Sequence, residues 1–330
     1  MDALVTGGTG FVGYHLVSAL RARDARVRVL ALPGEDATRV EQAGAVVCRG
    51  DVRRAETVVD AMRGADTVFH LAAVHGLWRP QQEYYDVNVR GADNVCRAVM
   101  AVGARRLVHV SSWTVYGMGL KGPVAEGAPL RPILDSYTRT KATADELVSS
   151  RVLRDRLPAV IVRPGTMFGP GDRVNYGRMA DRVRARKAII IGSGRNALPL
   201  VYVTDVVEGM ILAATRERAV GETYNLSHDQ PLTQEQVWSA IAEDIGAPPP
   251  RLKVPYPALY AAAVLAEQAV RADDPRRQPL VTRLGVRLFG SENRHDIEKA
   301  RRELGYAPAI AIRDGLRLAA RWYVEQGGRG

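Results

Sequence analysis

Tyr137 and Lys141 stand four residues apart in a stretch patterned as a helix, so their side chains share one face. A tyrosine with an ordinary pKa near 10 works as a base near neutrality only if a cation stabilises its phenolate. Lys141 supplies one such cation and an oxidised nicotinamide would supply another. Ser112 closes the apolar run Val108-His109-Val110 through Ser111, and its hydroxyl can hold a substrate oxygen while the tyrosine exchanges a proton. With 12 Tyr and five Lys in 330 residues, chance alone gives roughly 0.2 such pairs per chain. Spacing is therefore not decisive, but position adds weight, because strand ends are where parallel-sheet proteins gather ligands. Standing alone, Ser111 and Ser112 would read as a turn bonding its own backbone.

A second constellation lies near the start of the chain. Thr6-Gly7-Gly8-Thr9-Gly10-Phe11-Val12-Gly13 follows an apolar run and opens a helical pattern. A dinucleotide diphosphate needs backbone N–H groups at a helix N-terminus with no Cβ in the way. Gly7 fits the tight turn, Gly10 the close approach and Gly13 the close packing of helix on strand. The next apolar run ends Val29-Leu30-Ala31-Leu32-Pro33 with neither an acid for a ribose diol nor an arginine for a 2′-phosphate. Glu35, Asp36 and Arg39 come slightly later, so NAD and NADP both stay open.

The elements that must carry these residues alternate in period. Ala3–Val5, Val27–Leu30, Ala45–Val47, Thr67–Leu71, Leu107–Val110 and Val160–Val162 read as buried strands. Val12–Arg23, Ala55–Met62, Tyr84–Val102 and Tyr137–Leu153 read as helices between them. That alternation predicts an α/β fold, a Rossmann doubly wound parallel sheet. Pro164–Gly171 has five Gly or Pro in eight positions and reads as a loop, followed by an arginine-rich stretch from 173 to 187 that reads as a solvated helix face. Val201–Val203 and Glu222–Leu226 look like further strands extending the first sheet, and Thr233 with Gln236 forms a capping box. The tail, with helices over Ile297–Leu304 and Ile312–Glu325, predicts a smaller, mostly helical C-terminal substrate lobe. Residues 1–165 plus about 199–226 would form the dinucleotide lobe, and about 166–198 plus 227–330 the substrate lobe.

Composition narrows the function classes. Apolar residues are 46% and charged residues 25% of the chain, which excludes wholesale disorder. The net charge of +10 comes from arginine, but no aromatic and basic platform supports nucleic-acid binding. Cys48 and Cys96 lack ligand or framework spacing, so neither a metal site nor a disulfide scaffold is expected. Met1 runs almost directly into the glycine turn, and the apolar stretch Ala258–Val270 carries Glu267 and Gln268, so no signal peptide or integral membrane segment is read and a cytoplasmic location is expected.

Further motifs occur in order along the chain: Gly50-Asp51-Val52, His70-Leu71-Ala72-Ala73, Asn88, Ser111-Ser112-Trp113-Thr114-Val115-Tyr116-Gly117 and Arg163-Pro164-Gly165. Together with the glycine turn and the Tyr-Lys pair, they resemble the extended short-chain dehydrogenase/reductase superfamily, which includes nucleotide-sugar epimerases and dehydratases. The resemblance implies Ser112, Tyr137 and Lys141 as a catalytic triad, Gly7, Thr9, Gly10, Phe11, Val12 and Gly13 around the cofactor, and Asp51 on the adenine beside Val52. It also implies Leu71, Ala72 and Ala73 beside the cofactor and Pro164 with Gly165 along the nicotinamide. For Asn88, a cofactor contact and a structural role are equally open. A homodimer through the helices Tyr84–Val102 and Tyr137–Leu153 is implied as well.

Sugar-nucleotide members of that superfamily hold their diphosphate with groups that this sequence replaces. Thr166 stands for their Asn, Leu198 for an Arg, and Leu288–Glu292 lacks their Arg-x-x-Asp. Apolar groups at such places favour an uncharged, apolar ligand, although Arg195 or Arg294 could compensate. Arg163–Asp172, Pro279–Arg283 and Asp296–Tyr306 are similar to segments of 3β-hydroxysteroid and C4-decarboxylating sterol dehydrogenases. The expected activity is an alcohol–ketone oxidoreductase for a bulky apolar molecule. The alternatives are a sugar-nucleotide 4-epimerase or dehydratase that retains NAD, and a non-enzymatic cofactor-binding scaffold. Val74, Trp78, Trp113, Thr114, Thr166 and Met167 are the candidate substrate contacts, with plain packing equally open for the two tryptophans. The apolar helix over 256–270 would be a packed lid or core helix, or else touch a ligand or a membrane surface.

Overall fold

The computed structural model describes residues 1–75, 79–270 and 279–327. The first half alternates as its periodicities predict: β1 (Asp2–Thr6), α1 (Phe11–Arg21), β2 (Arg26–Ala31), α2 (Thr38–Gln42), β3 (Val46–Arg49), α3 (Ala55–Met62) and β4 (Thr67–His70). Then come α4 (Gln81–Tyr85), a π-helical turn (Asp86–Arg90), α5 (Gly91–Val102), β5 (Arg106–Val110), β6 (Pro123–Val124), α6 (Ser136–Asp155) and β7 (Ala159–Pro164). After β8 (Thr166–Phe168), α7 (Arg178–Arg184), β9 (Ile190–Ile191), β10 (Leu200–Tyr202) and α8 (Val203–Thr215), strand β11 (Thr223–Leu226) returns to the centre. Among the described residues, seven strands form one parallel sheet in the order β11-β7-β5-β4-β1-β2-β3. The direction of winding reverses between β4 and β1, and the crevice at such a switch point is where open α/β sheets bind dinucleotides.

Burial on both faces explains the unbroken apolar runs. Leu4, Val68 and Leu107 face α3 and α5, whereas Val5, Phe69 and Val108 face α1 and α8. Each such side chain contributes about 1.5–3 kcal/mol by leaving water. A second core joins Phe168, Leu198, Leu200 and Tyr202 to Trp238 and Ile241 of α9 (Gln234–Asp244) and to Leu316 and Tyr323 of α13 (Ile312–Glu325). The Thr233 and Gln236 capping box is present at the start of α9.

Three sequence expectations are corrected. The run read as Val201–Val203 is β10, and it pairs with β8 in a separate two-stranded ladder rather than extending the main sheet. Only the later strand, β11, joins that sheet, beside β7. The cause is a close crossing at Gly165, where a Cβ would stand 2.6 Å from the Pro199 carbonyl oxygen. The Gly- and Pro-rich stretch Pro164–Gly171 accordingly holds β8 and is not loop throughout. The helix expected over Tyr84–Val102 begins at Gln81 and carries the π-turn, a local extra residue that re-aims side chains.

The arginine-rich stretch behaves as a solvated face: Arg173, Arg182, Arg184, Arg186 and Lys187 are exposed, while Met179, Ala180 and Val183 are buried beneath them. The apolar stretch is α10 (Tyr256–Gln268), of which only Ala263 is fully buried, so it is not a core helix. It packs through Leu259 and Tyr260 on Val286 and Phe289 of α11 (Arg283–Gly290), leaving Leu265 exposed. Among the described residues, no helix is long and apolar enough to cross a membrane.

Candidate active site

Helix α6 presents the Tyr-Lys pair. Asp135 caps its N-terminus, its carboxylate accepting from the Thr138 N–H at 3.0 Å, so Tyr137 sits in the first turn and Lys141 one turn deeper. The Lys141 ammonium is buried and donates to the Val110 carbonyl oxygen at 2.6 Å, which ties α6 to the end of β5. Burial pulls its pKa down to about 8, against a smaller upward pull from the Asp145 carboxylate. Burial pushes the Tyr137 phenol up, and the nearby Ser112 side chain opposes this by favouring the phenolate.

Ser112 starts a 3-10 turn, Trp113–Tyr116, and its Oγ pairs with the Thr114 hydroxyl at 2.9 Å. Thr114 is buried like Ser112, and the two hydroxyls are paired. Ser112, Tyr137 and Lys141 thus converge at the end of β5 from two elements. The two histidines paired across β4 and β5, His70 and His109, are buried beside them. Burial, with the Lys141 charge adding, holds His70 at about 3 and His109 well below its usual value. Both rings are therefore neutral near pH 7, leaving Lys141 as the cation of this corner. His75 lies near the tyrosine, with ring centroids 6.3 Å apart.

The glycine turn lies across the crevice. Gly7 has φ +72°, and a Cβ there would stand 2.8 Å from the Ala72 nitrogen, so glycine allows the turn to touch the end of β4. Gly13 packs against the turn itself, its would-be Cβ 2.1 Å from the Gly7 carbonyl oxygen. Gly10 is the N-cap of α1, and no side chain caps the helix. The first N–H groups of α1 are thus left for an anion, as a dinucleotide diphosphate requires. Thr6 joins turn and strand end: its hydroxyl lies 2.7 Å from His70 Nδ1 and accepts from the Ala72 N–H at 3.3 Å. The residues fit a dinucleotide.

Other expected positions divide. Leu71, Ala72 and Ala73 are half-buried beside the turn, as are Thr9, Phe11 and Val12 within it. Pro164 ends β7, and Gly165 follows it, its N–H donating to the Leu226 carbonyl of β11 at 2.9 Å. Val52 is buried in the core against Gly91. The Asp51 carboxylate is paired with Arg53 at 2.5 Å. Asn88 bonds to neighbouring elements: its Oδ1 accepts from the Val74 N–H at 2.8 Å, and its Nδ2 donates to the Val74 carbonyl and to the Thr140 hydroxyl. Val74 is therefore pinned through its backbone.

Trp113 is buried, donates from Nε1 to the Thr166 hydroxyl at 3.1 Å and packs on His295 with centroids 5.2 Å apart. Thr166 and Met167 are half-buried next to it, whereas Trp78 lies outside the described residues. Leu198 is part of the second core, and Arg294 is paired with Glu292 at 2.6 Å. Sequence reasoning missed Asp145, whose only signal was its place one turn beyond Lys141, and Arg163 as its partner.

Sheet order, uncapped glycine turn and strand-end hydroxyls define the class, a nicotinamide-dinucleotide enzyme on a Rossmann fold. The chain belongs to the NAD dependent epimerase/dehydratase family, whose model matches residues 3–227. It is 34% identical to a 4-hydroxy-2-methyl-3-oxo-4-farnesyl-3,4-dihydroquinoline-1-oxide ketoreductase of Stigmatella aurantiaca, over 96% of this chain and 95% of that protein. It is 32% identical to 3beta-hydroxysteroid-dehydrogenase/decarboxylase isoform 1 of Arabidopsis thaliana, over 95% of this chain and 77% of that one. Among solved structures it resembles MoeE5 in complex with UDP-glucuronic acid and NAD, with a TM-score of 0.77, 27% identity, and coverage of 99% of this chain and 100% of that one. The chain is an NAD(P)-dependent oxidoreductase of the extended short-chain dehydrogenase/reductase kind.

Proposed function

We propose that this oxidoreductase interconverts a secondary alcohol and a ketone on a bulky, mainly apolar molecule, with Ser112, Tyr137 and Lys141 as its catalytic residues. The observation that carries the reading is their convergence at the end of β5, across the crevice from the uncapped N-terminus of α1. A bound nicotinamide supplies or accepts the hydride. In the reducing direction the Tyr137 hydroxyl gives its proton to the carbonyl oxygen, while Ser112 donates a hydrogen bond to that oxygen and fixes its orientation. Lys141 stabilises the phenolate left behind and is itself held by the Val110 carbonyl. The apolar substrate class rests on the ketoreductase and steroid relatives and on Leu198 being committed to the core. Asp51 on the adenine and Val74, Thr166 and Met167 along the substrate belong to the same proposal.

The lobes proposed are residues 1–165 plus about 199–226 for the cofactor and the remainder for the substrate, in a cytoplasmic homodimer joined through α5 and α6. Nicotinamide absorbance followed across steroid, farnesylated-quinoline and sugar-nucleotide panels tests the substrate class. Turnover of the apolar ketones is expected. Turnover of sugar nucleotides alone, with NAD retained through purification and no net cofactor change, would replace it with the epimerase reading.

A further inference from the structure

We infer that Glu35 makes this enzyme select NAD(H) over NADP(H), its carboxylate reaching back from a loop to the place that strand β2 leaves without an acid. The inference rests on reading the glycine turn as the dinucleotide site. Strand β2 ends at Ala31, and Leu32 and Pro33 offer no polar side chain to a ribose. Gly34, at φ +78°, then reverses the chain, and the Glu35 N–H closes the turn on the Leu32 carbonyl at 3.1 Å. The Glu35 side chain folds back over this turn. Its Oε2 accepts from the Leu32 N–H at 2.9 Å, and its Oε1 accepts from the Thr9 hydroxyl at 2.6 Å. Thr9 belongs to the glycine turn, so one carboxylate bridges the phosphate-binding loop and the end of β2. The adenosine ribose of a dinucleotide lies over this strand end.

An ionised carboxylate only accepts hydrogen bonds, so it suits the 2′- and 3′-hydroxyls of NAD and opposes a 2′-phosphate. The neighbouring cations have other work. Arg49 donates from Nη1 to the carbonyls of Leu32 at 3.2 Å and Glu35 at 2.7 Å. Arg39 lies over the Tyr14 ring at 3.9 Å, and Arg53 is held by Asp51. Arg49 and Arg53 would have to leave these partners to meet a 2′-phosphate, and a phosphate reaching Arg39 would still stand against Glu35. Asp36, the next acid, turns to Thr38, accepting from its N–H and its hydroxyl.

Equilibrium titration of the cofactor-free protein with NADH and with NADPH, read by calorimetry, tests this without any substrate. The wild type is expected to bind NADH at least about 30-fold more tightly, the size of a like-charge penalty at close range. Glu35→Gln keeps the size and removes the charge, and should bring the two affinities within about threefold, mainly by improving NADPH. Asp36→Asn should leave the ratio unchanged. Glu35 is exposed, so thermal denaturation should show both variants folded as the wild type is. Equal wild-type affinities, or a ratio that survives Glu35→Gln, overturn the assignment while leaving the dinucleotide site intact. Binding of neither nucleotide overturns that site, and this inference with it.

Discussion

Arg163 grips Asp145 with a two-point fork, Nε to Oδ2 at 2.9 Å and Nη2 to Oδ1 at 2.6 Å, and both side chains are buried. Asp145 lies one turn beyond Lys141 on α6, and Arg163 immediately precedes Pro164 and Gly165 on β7. The same guanidinium donates to the Tyr116 hydroxyl at 2.9 Å, at the end of the turn that begins with Ser112. Three segments of the site therefore meet on one cation. Its remaining bond goes to the Glu126 carbonyl at 3.0 Å, and Tyr116 passes the network on to Asn225 at 2.7 Å.

Removing one partner of such a pair leaves a buried charge uncompensated, which costs about 3–5 kcal/mol. Arg163→Met should lower unfolding stability by that amount in urea titration, and Arg163→Lys by less, because it keeps the charge while losing the fork. A loss below about 1 kcal/mol for Arg163→Met would mean that the pair does not hold the site together.

Lys141 gives a pH signature in the cofactor-free protein. Its folded pKa is near 8, below the ordinary lysine value of 10.5, because burial disfavours the ammonium. Between these values the unfolded chain binds more protons than the folded one, so stability should rise as pH climbs from about 8 to about 10.5. Lys141→Met should flatten that window in denaturation curves taken across it. If Lys141 stabilises the Tyr137 phenolate as proposed, its deprotonation should also make the reducing activity fall over the alkaline range.

Asn88 is predicted to matter through Val74 rather than through the cofactor. Asn88→Ala strips partners from the N–H and carbonyl of half-buried Val74, at up to about 1–3 kcal/mol per unsatisfied group. Chemical denaturation should show that loss. NADH affinity measured by calorimetry should change less than threefold. A large loss of NADH affinity with little loss of stability would return Asn88 to the cofactor.

Much of this was legible from the residues. The glycine turn, the Tyr-Lys spacing and the alternation of apolar runs are local patterns, and local patterns survive folding. Helix α13 and the Thr233 capping box were readable for that reason. The placement of β10 was not, because it depends on a crossing at Gly165 with a segment more than thirty residues away. The pairing of the Thr114 hydroxyl with Ser112 was not legible either, being a choice of rotamer that no spacing records. Glu35 was visible near the end of the second strand, but its bond to Thr9 was not, since that depends on the reversal at Gly34. Arg163 was visible only as part of a motif, and its partner Asp145 comes from another element.

The central claim is that Tyr137 moves the proton, and the most direct measurement is the turnover of Tyr137→Phe on a ketone that the wild type reduces. The substitution removes one oxygen and keeps the ring, so NADH affinity and the unfolding transition should match the wild type. Turnover should fall by about 100- to 10,000-fold, the range expected when a positioned general acid is lost. Wild-type turnover in a folded, NADH-binding Tyr137→Phe protein would contradict the account and require another proton donor in the crevice.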